Sequence, residues 1–294
     1  MDQISKLFEN VKVTPNIFYI ISTPIGNLAD ISLRAIKVLS LLDVIFCEDT
    51  RVTRKLLRHL NIKAKKLVVY NDHSDKKKRI EIINYILLKK NKKFGLVCDA
   101  GTPLISDPGF KLVRECFDNK IKITHVPGPS SIISSIVLSG IPPNNFYFAG
   151  YIEKNINKKK KQFKNILSLN VTTIWLETSQ RILSSLELLN ALYKDRKVSV
   201  LRELTKIHEE IITDNPEVVY NFFSKKESIK GEIVIVISGF TKKHLSKEDV
   251  NQLIKNNLKR FSTKELTSFI SNKTGLPKKS IYNEIIKFNK LQDS

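Results

Sequence analysis

Apolar residues in the first half of the chain come in short blocks, each followed by a stretch where they recur every three or four positions. The blocks are NIFYIIS (16–22), DVIFCE (43–48), KLVVY (66–70), GLVCD (95–99) and IKITHV (121–126). They are too short for helices and rich in β-branched side chains, which is how strands buried on both faces read. After the first block, Ile31, Ala35, Ile36, Leu39 and Leu42 keep helical spacing, with Asp30 able to cap. A basic helix is predicted from Thr50 to about Leu60, another opens at NDHS and runs through Leu88, and a fourth covers about 109–118. This alternation predicts an α/β domain, 14–126, whose mostly parallel sheet is covered by helices on both faces.

VPGPSS (126–131) breaks the pattern: its prolines and glycine stop a strand, and Ser130 and Ser131 can cap the next helix. A second domain, 127–242, is expected to be a smaller mixed sheet of α+β character. FYFAG (146–150), TTIWLE (172–177), KVSVLREL, KIHEEIIT and GEIVIVISG supply its strands, and 179–193 and 216–227 its helices. The lysine run 158–161 reads as a solvated helix face. From 243 to 294 the pattern is helical only, with capping-box starts at Ser246/Asp249 and Ser262/Glu265 and a NKTGLP break before a third helix at 277–290. Such a triad suits a packing cap, and also a nucleic-acid element with Lys273, Lys278, Lys279 and Lys287 facing phosphates.

Composition changes this picture in two ways. Fifty Lys and Arg against twenty-nine Asp and Glu leave a formal charge of +21, which favours an anionic partner such as nucleic acid. Lysine, asparagine and isoleucine are over-used throughout, so part of the excess is what nucleotide bias would also give. Cys47, Cys98 and Cys116 have spacings that suggest neither a disulfide framework nor a zinc ribbon, in keeping with a reducing cytoplasm. No secretory signal is read at the start, and the one long uncharged stretch, 126–152, is broken by prolines, so no membrane association is expected.

The chemistry concentrates in loops. The usual dinucleotide, P-loop, zincin and hydrolase motifs are all missing from the sequence. What remains is TPIGN (23–27), the irregular loop in GLVCDAGTPLISDPG (95–109) and PGPSS (127–131), plus the acid-and-base cluster CEDTR (47–51), each beside a strand terminus. Ligands sit at that edge of open α/β sheets, and such loops suit an extended polar ligand in a crevice. TPIGNLADISLRA (23–35), CEDTR, DAGTPLISDPG (99–109) and VPGPSS, in this order, resemble the RsmI family. These are the small-subunit rRNA 2′-O-methyltransferases of the tetrapyrrole-methylase-like class. ETSQR (177–181), LRELTK (201–206) and GEIVIVISG (231–239) extend the likeness, with Gln180 where the family often has histidine and Cys98 where it often has serine.

The resemblance implies a two-domain tetrapyrrole-methylase-like fold with a helical extension, forming a homodimer that binds S-adenosylmethionine in the interdomain cleft without a metal. Its acceptor would be a cytidine ribose in the decoding region of 16S rRNA, presented as RNA or as the small ribosomal subunit. By motif position, Pro24 and Gly26 would floor the cleft, and Asp99, Ala100, Gly101, Thr102 and Pro103 would border the donor. Ser130, Ser131 and Glu232 would form the opposite wall. Glu48, Asp49 and His73 are candidate bases; either acid could instead pair with Arg51, and His73 could be a cap or surface residue. Arg34, Arg51, Arg54, Lys278 and Lys279 are candidate RNA contacts, although Arg34 could instead pin its helix to a loop. Tyr70 and Tyr151 could stack a base or belong to the core. Two rival readings remain, a methyltransferase for tetrapyrrole-type small molecules and a noncatalytic RNA-binding assembly factor; the charge and the helical extension weigh against the first.

Overall fold

The computed structural model describes residues 10–63, 65–71, 74–239, 247–258, 260–274 and 276–292. His73 and Ser246 lie outside them. Strands β1 (Ile17–Ile21), β2 (Val44–Cys47), β3 (Lys66–Val69), β4 (Phe94–Val97) and β5 (Lys122–Val126) form one sheet in the order β3-β2-β4-β1-β5, every pairing parallel. Side chains alternate between its faces. Phe18, Phe46, Phe94 and Leu96 point into one core, with α3 (Lys76–Leu88) and α4 (Phe110–Asp118) packed over them through Ile82, Ile83, Leu112 and Cys116. Tyr19, Ile21, Ile45 and Val97 point into the other, beneath α1 (Leu33–Leu41) and α2 (Thr50–His59). Burial on both sides is why these strands read as unbroken apolar blocks.

A second sheet is built from β6 (Phe146–Tyr151), β7 (Thr172–Thr178), β8 (Val198–Arg202), β9 (Glu210–Asp214) and β10 (Glu232–Ile237), ordered β6-β7-β10-β8-β9. Only β6–β7 is parallel, so the sheet is mixed as expected. One face carries Trp175, Val200 and Ile235 under α6 (Ile156–Leu167), α7 (Ile182–Tyr193) and α8 (Pro216–Ser224). The other face packs Ile174, Leu201 and Val236 on Ile136 of α5 (Ser131–Leu138) and on Ile25, which comes from the loop after β1. Both sheets belong to one compact unit ending at Gly239.

The second unit contains α9 (Lys247–Asn257), α10 (Thr263–Thr274) and α11 (Lys278–Gln292) around a core of its own, Val250, Ile254, Leu266, Ile270, Ile281 and Ile285. The Ser262 capping box forms: the Ser262 N–H donates to Glu265 Oε2 at 3.0 Å, and the Glu265 N–H to Ser262 Oγ at 3.4 Å.

Two local expectations are corrected. Asp30 does not cap α1, because Leu28–Asp30 is a 3₁₀ turn closed by Asn27, and Ser32 Oγ accepts the Ala35 N–H at 3.1 Å instead. The lysine run is not wholly solvated: Lys159 is 1% exposed, and its Nζ donates to Ser185 Oγ at 2.9 Å and Ser184 Oγ at 3.1 Å. Of the two readings open for Tyr70, the core one is seen: it belongs to the core of the first sheet. The three cysteines are free and buried.

Candidate active site

The loops after β1, β4 and β5 meet at the carboxyl edge of the parallel sheet. The helices that follow β1 and β4, α1 and α4, leave toward opposite faces, which opens a crevice between the two loops. There the loops are tied together. The Thr23 N–H donates to Gly101 O at 2.8 Å and the Gly101 N–H returns to Thr23 O at 3.1 Å, a two-residue antiparallel bridge. Thr102 Oγ1 donates to Pro129 O at 3.1 Å, so at its 2.9 Å contact with Ser22 it accepts. Gly101 has φ +80°, and a Cβ there would lie 3.2 Å from Ile25 Cγ2. Leu104 and Ser106 hold φ values of 77° and 63°, each costing roughly 1–2 kcal/mol for a side-chain-bearing residue. The anchored loop holds that strain.

Between the two sheets lies a hollow of about 500 Å³, within the range of roughly 300–1,000 Å³ typical of small-molecule sites. Segments 99–102, 105–107 and 130–132 line it from the first half, and 176–180 and 231–234 with Tyr151 from the second; Ile25 and Glu48 complete it. Asp99, Ala100, Gly101, Thr102, Ser130, Ser131 and Glu232 thus converge from three separate stretches of chain. Pro103 is buried and is not among the lining residues. Pro24 and Gly26 are not on this floor either: they line a second hollow of about 320 Å³, which also includes Asp99. The reason lies in Ile25, whose insertion into the second sheet's core turns its neighbours aside. Ser130 begins α5 without a side-chain cap bond, and its position lines the large hollow.

The charged groups differ in state. Asp99 Oδ1 accepts the Asp49 N–H at 3.1 Å, and burial raises its carboxyl above the ordinary aspartate range. Asp49 caps α2 through the Arg51 N–H at 2.7 Å, and Arg51 Nε donates to its second oxygen at 3.0 Å. These Arg51 contacts hold Asp49 down at about 2. The ion-pair alternative for Asp49 is therefore the one seen, while Glu48 lines the large hollow. Arg34 Nη1 donates to His125 O at 3.3 Å, which ties α1 to β5. Arg54 is exposed on α2, and Lys278 and Lys279 are exposed in the first turn of α11, in the other unit.

The far wall is braced from behind. Glu177, 3% exposed, accepts from Arg181 Nη2 at 2.8 Å, from the Thr178 N–H at 2.8 Å and from Ser185 Oγ at 2.6 Å. Ser185 in turn accepts from Lys159, whose ammonium is pushed down by burial and held up in part by Glu177. Sequence reasoning missed this brace, because a lysine inside a lysine run carries no sign of burial. It also missed Lys55 and His59, which line the second hollow; their i, i+4 spacing beside Val52 and Leu56 was the available signal.

Fold and site together define a protein of the tetrapyrrole-methylase class, and the family of Tetrapyrrole (Corrin/Porphyrin) Methylases matches residues 18–217. A solved diphthine synthase shares the fold at TM-score 0.59 and 14% identity, covering 76% of this chain and 89% of that one. Ribosomal RNA small subunit methyltransferase I of Rickettsia prowazekii (strain Madrid E) is 46% identical over 75% of this chain and 78% of its own length. The protein of that name from Buchnera aphidicola subsp. Baizongia pistaciae (strain Bp) is 36% identical over 95% of each. The chain belongs to the ribosomal RNA small subunit methyltransferase I family.

Proposed function

We propose that this protein transfers a methyl group from S-adenosylmethionine to the ribose 2′-oxygen of a cytidine in the decoding region of 16S rRNA. The observation that carries this reading is the large hollow, where three loops and the edge of a second sheet surround one space. The residues fit the donor. Ile25, Ala100, Ile132, Leu176 and Val234 offer apolar surface to an adenosine, and Asp99 and Glu232 offer carboxylates to hydroxyls and an amine. When bound, the donor supplies an electrophilic methyl on a positively charged sulfur, and no metal is needed.

The protein's task is then alignment and proton removal. Holding the hydroxyl in line with the methyl–sulfur bond can contribute up to roughly 7–11 kcal/mol in well-oriented systems. The wall that would do this is stiffened by the Thr23–Gly101 bridge and the Glu177 brace. Asp49 is a weak base, because Arg51 keeps it ionised far below neutral pH. We assign the hydroxyl proton to Asp99 or Glu48, the two first-half carboxylates of CEDTR and DAGTP that line the hollow. Substrate approach is supported by Arg51, Arg54 and Arg58, exposed along α2. A homodimer is supported by Ile133, Val137 and Leu138, apolar side chains exposed on α5 that a second copy would cover. The same reading places the protein in the cytoplasm with the ribosome; no described helix is long and apolar enough to cross a membrane.

The test is transfer of labelled methyl to small ribosomal subunits lacking the modification, followed by nuclease digestion and mass spectrometry. Label is expected in 2′-O-methylcytidine. Label on a base, or transfer to a corrinoid with none to subunits, would reverse the assignment.

A further inference from the structure

We propose that the smaller hollow, between the TPIGN turn and α2, is the seat of the acceptor nucleotide, an unstacked residue of single-stranded RNA held with its ribose against Asp99. This inference rests on the methyl-transfer reading given above. Asp99 lines both hollows, so a single side chain lies on the boundary between them. The backbone beside it is fixed, since Thr23, which also lines the smaller hollow, is bridged to Gly101 of the larger one. A methyl group leaving the large hollow on this side would meet whatever occupies the small one.

The lining of the small hollow separates into two kinds of surface. Pro24, Leu28, Val52 and Leu56 are apolar and suit the faces of a base and sugar; Lys55 and His59, exposed one turn apart on α2, suit a phosphate. His59 Nδ1 lies 2.8 Å from Lys55 O. A carbonyl can only accept, so Nδ1 donates there and Nε2 is the ring atom left for a ligand, donating to a phosphate oxygen as imidazolium and accepting from a ribose hydroxyl when neutral. Arg51, Arg54 and Arg58 continue the positive surface along the same helix. A flat apolar body with a hydroxyl at one end and phosphate at the other is the chemistry of a nucleotide. A macrocycle ringed by carboxylates would want cations around the whole rim, whereas here they stand on one side. The volume, about 320 Å³, suits one splayed residue rather than a stacked helix.

Two variants of the full chain test this. Lys55→Gln/His59→Gln changes exposed side chains only, and Val52→Trp fills the hollow from a residue that is 40% exposed. For the double variant KM for small subunits is expected to rise about tenfold with kcat little changed, the pattern of lost uniform binding. For Val52→Trp kcat/KM is expected to fall at least about tenfold. Donor affinity by calorimetry is expected to stay within about twofold in both. Unchanged transfer in both variants, with wild type active, overturns this inference alone; so does donor affinity falling in step with transfer, which would make the hollow part of the donor site. A wild-type protein that leaves the ribose unmethylated overturns the functional reading, and this one with it.

Discussion

Asp99 is the side chain on which most depends. One of its oxygens receives the Asp49 N–H, burial raises its pKa, and it borders both hollows. Asp99→Asn keeps the shape and removes the charge. Hydrogen bonds to charged groups contribute roughly 1.5–3 kcal/mol, so donor affinity by calorimetry is expected to fall at least about tenfold without loss of thermal stability. The pH dependence has a definite sign. Because the folded carboxyl protonates above the ordinary aspartate value of 3.8, wild-type donor affinity is expected to decline on acidification before that value is reached, and the asparagine variant to decline less there. The place of Asp99 in a loop directly after a buried strand marks it in the sequence, and the structure lines the large hollow with it. Spacing could not place Pro24 and Gly26, because what turns that loop is contact with residues far along the chain: Asn27 N donates to Thr205 Oγ1 at 3.1 Å, and a Cβ on Gly26 would lie 2.4 Å from Lys206 Cγ.

Among the elements, strands and helices were readable because burial imposes a period on sequence. The turn 203–206 was not, for its structure comes from side-chain contacts, one of them to a backbone N–H far along the chain. Glu203 accepts from Lys206 Nζ at 2.8 Å and from the Glu232 N–H at 3.0 Å, with Gly231 at φ +95° beneath it and Glu203 itself at φ 53°. The Lys206 hydrogen bond, above all, holds Glu203 below the ordinary glutamate value of 4.5. A depressed acid stabilises the fold above its unfolded pKa and loses that contribution as pH falls through its folded value. Thermal stability is therefore expected to drop as pH goes from about 5 toward 3, and Glu203→Gln to flatten part of that drop. A melting series across those pH values in both proteins checks it; parallel curves would assign the acid sensitivity elsewhere.

At the scale of the molecule, the charge of +21 gains meaning from where it sits. If Arg51, Arg54, Lys55 and Arg58 each meet one phosphate of a single strand, the log–log salt slope of substrate binding is expected near about −3. A flat response would make the charge incidental. The terminal helices have their own core, which spacing alone could not reveal, since a cap and a module share the same amphipathic pattern. Removing 240–294 is expected to leave donor affinity intact and weaken subunit binding; equal loss of both would make the helices a support for the fold.

Ile25 is 8% exposed and belongs to the second sheet's core, although its loop springs from the first sheet. The two halves of the larger unit therefore share a pin. A clamshell opening would extract that side chain into water at a cost of roughly 1.5–3 kcal/mol, before any other contact is broken. Any guest that enters by parting the two halves therefore carries at least this toll.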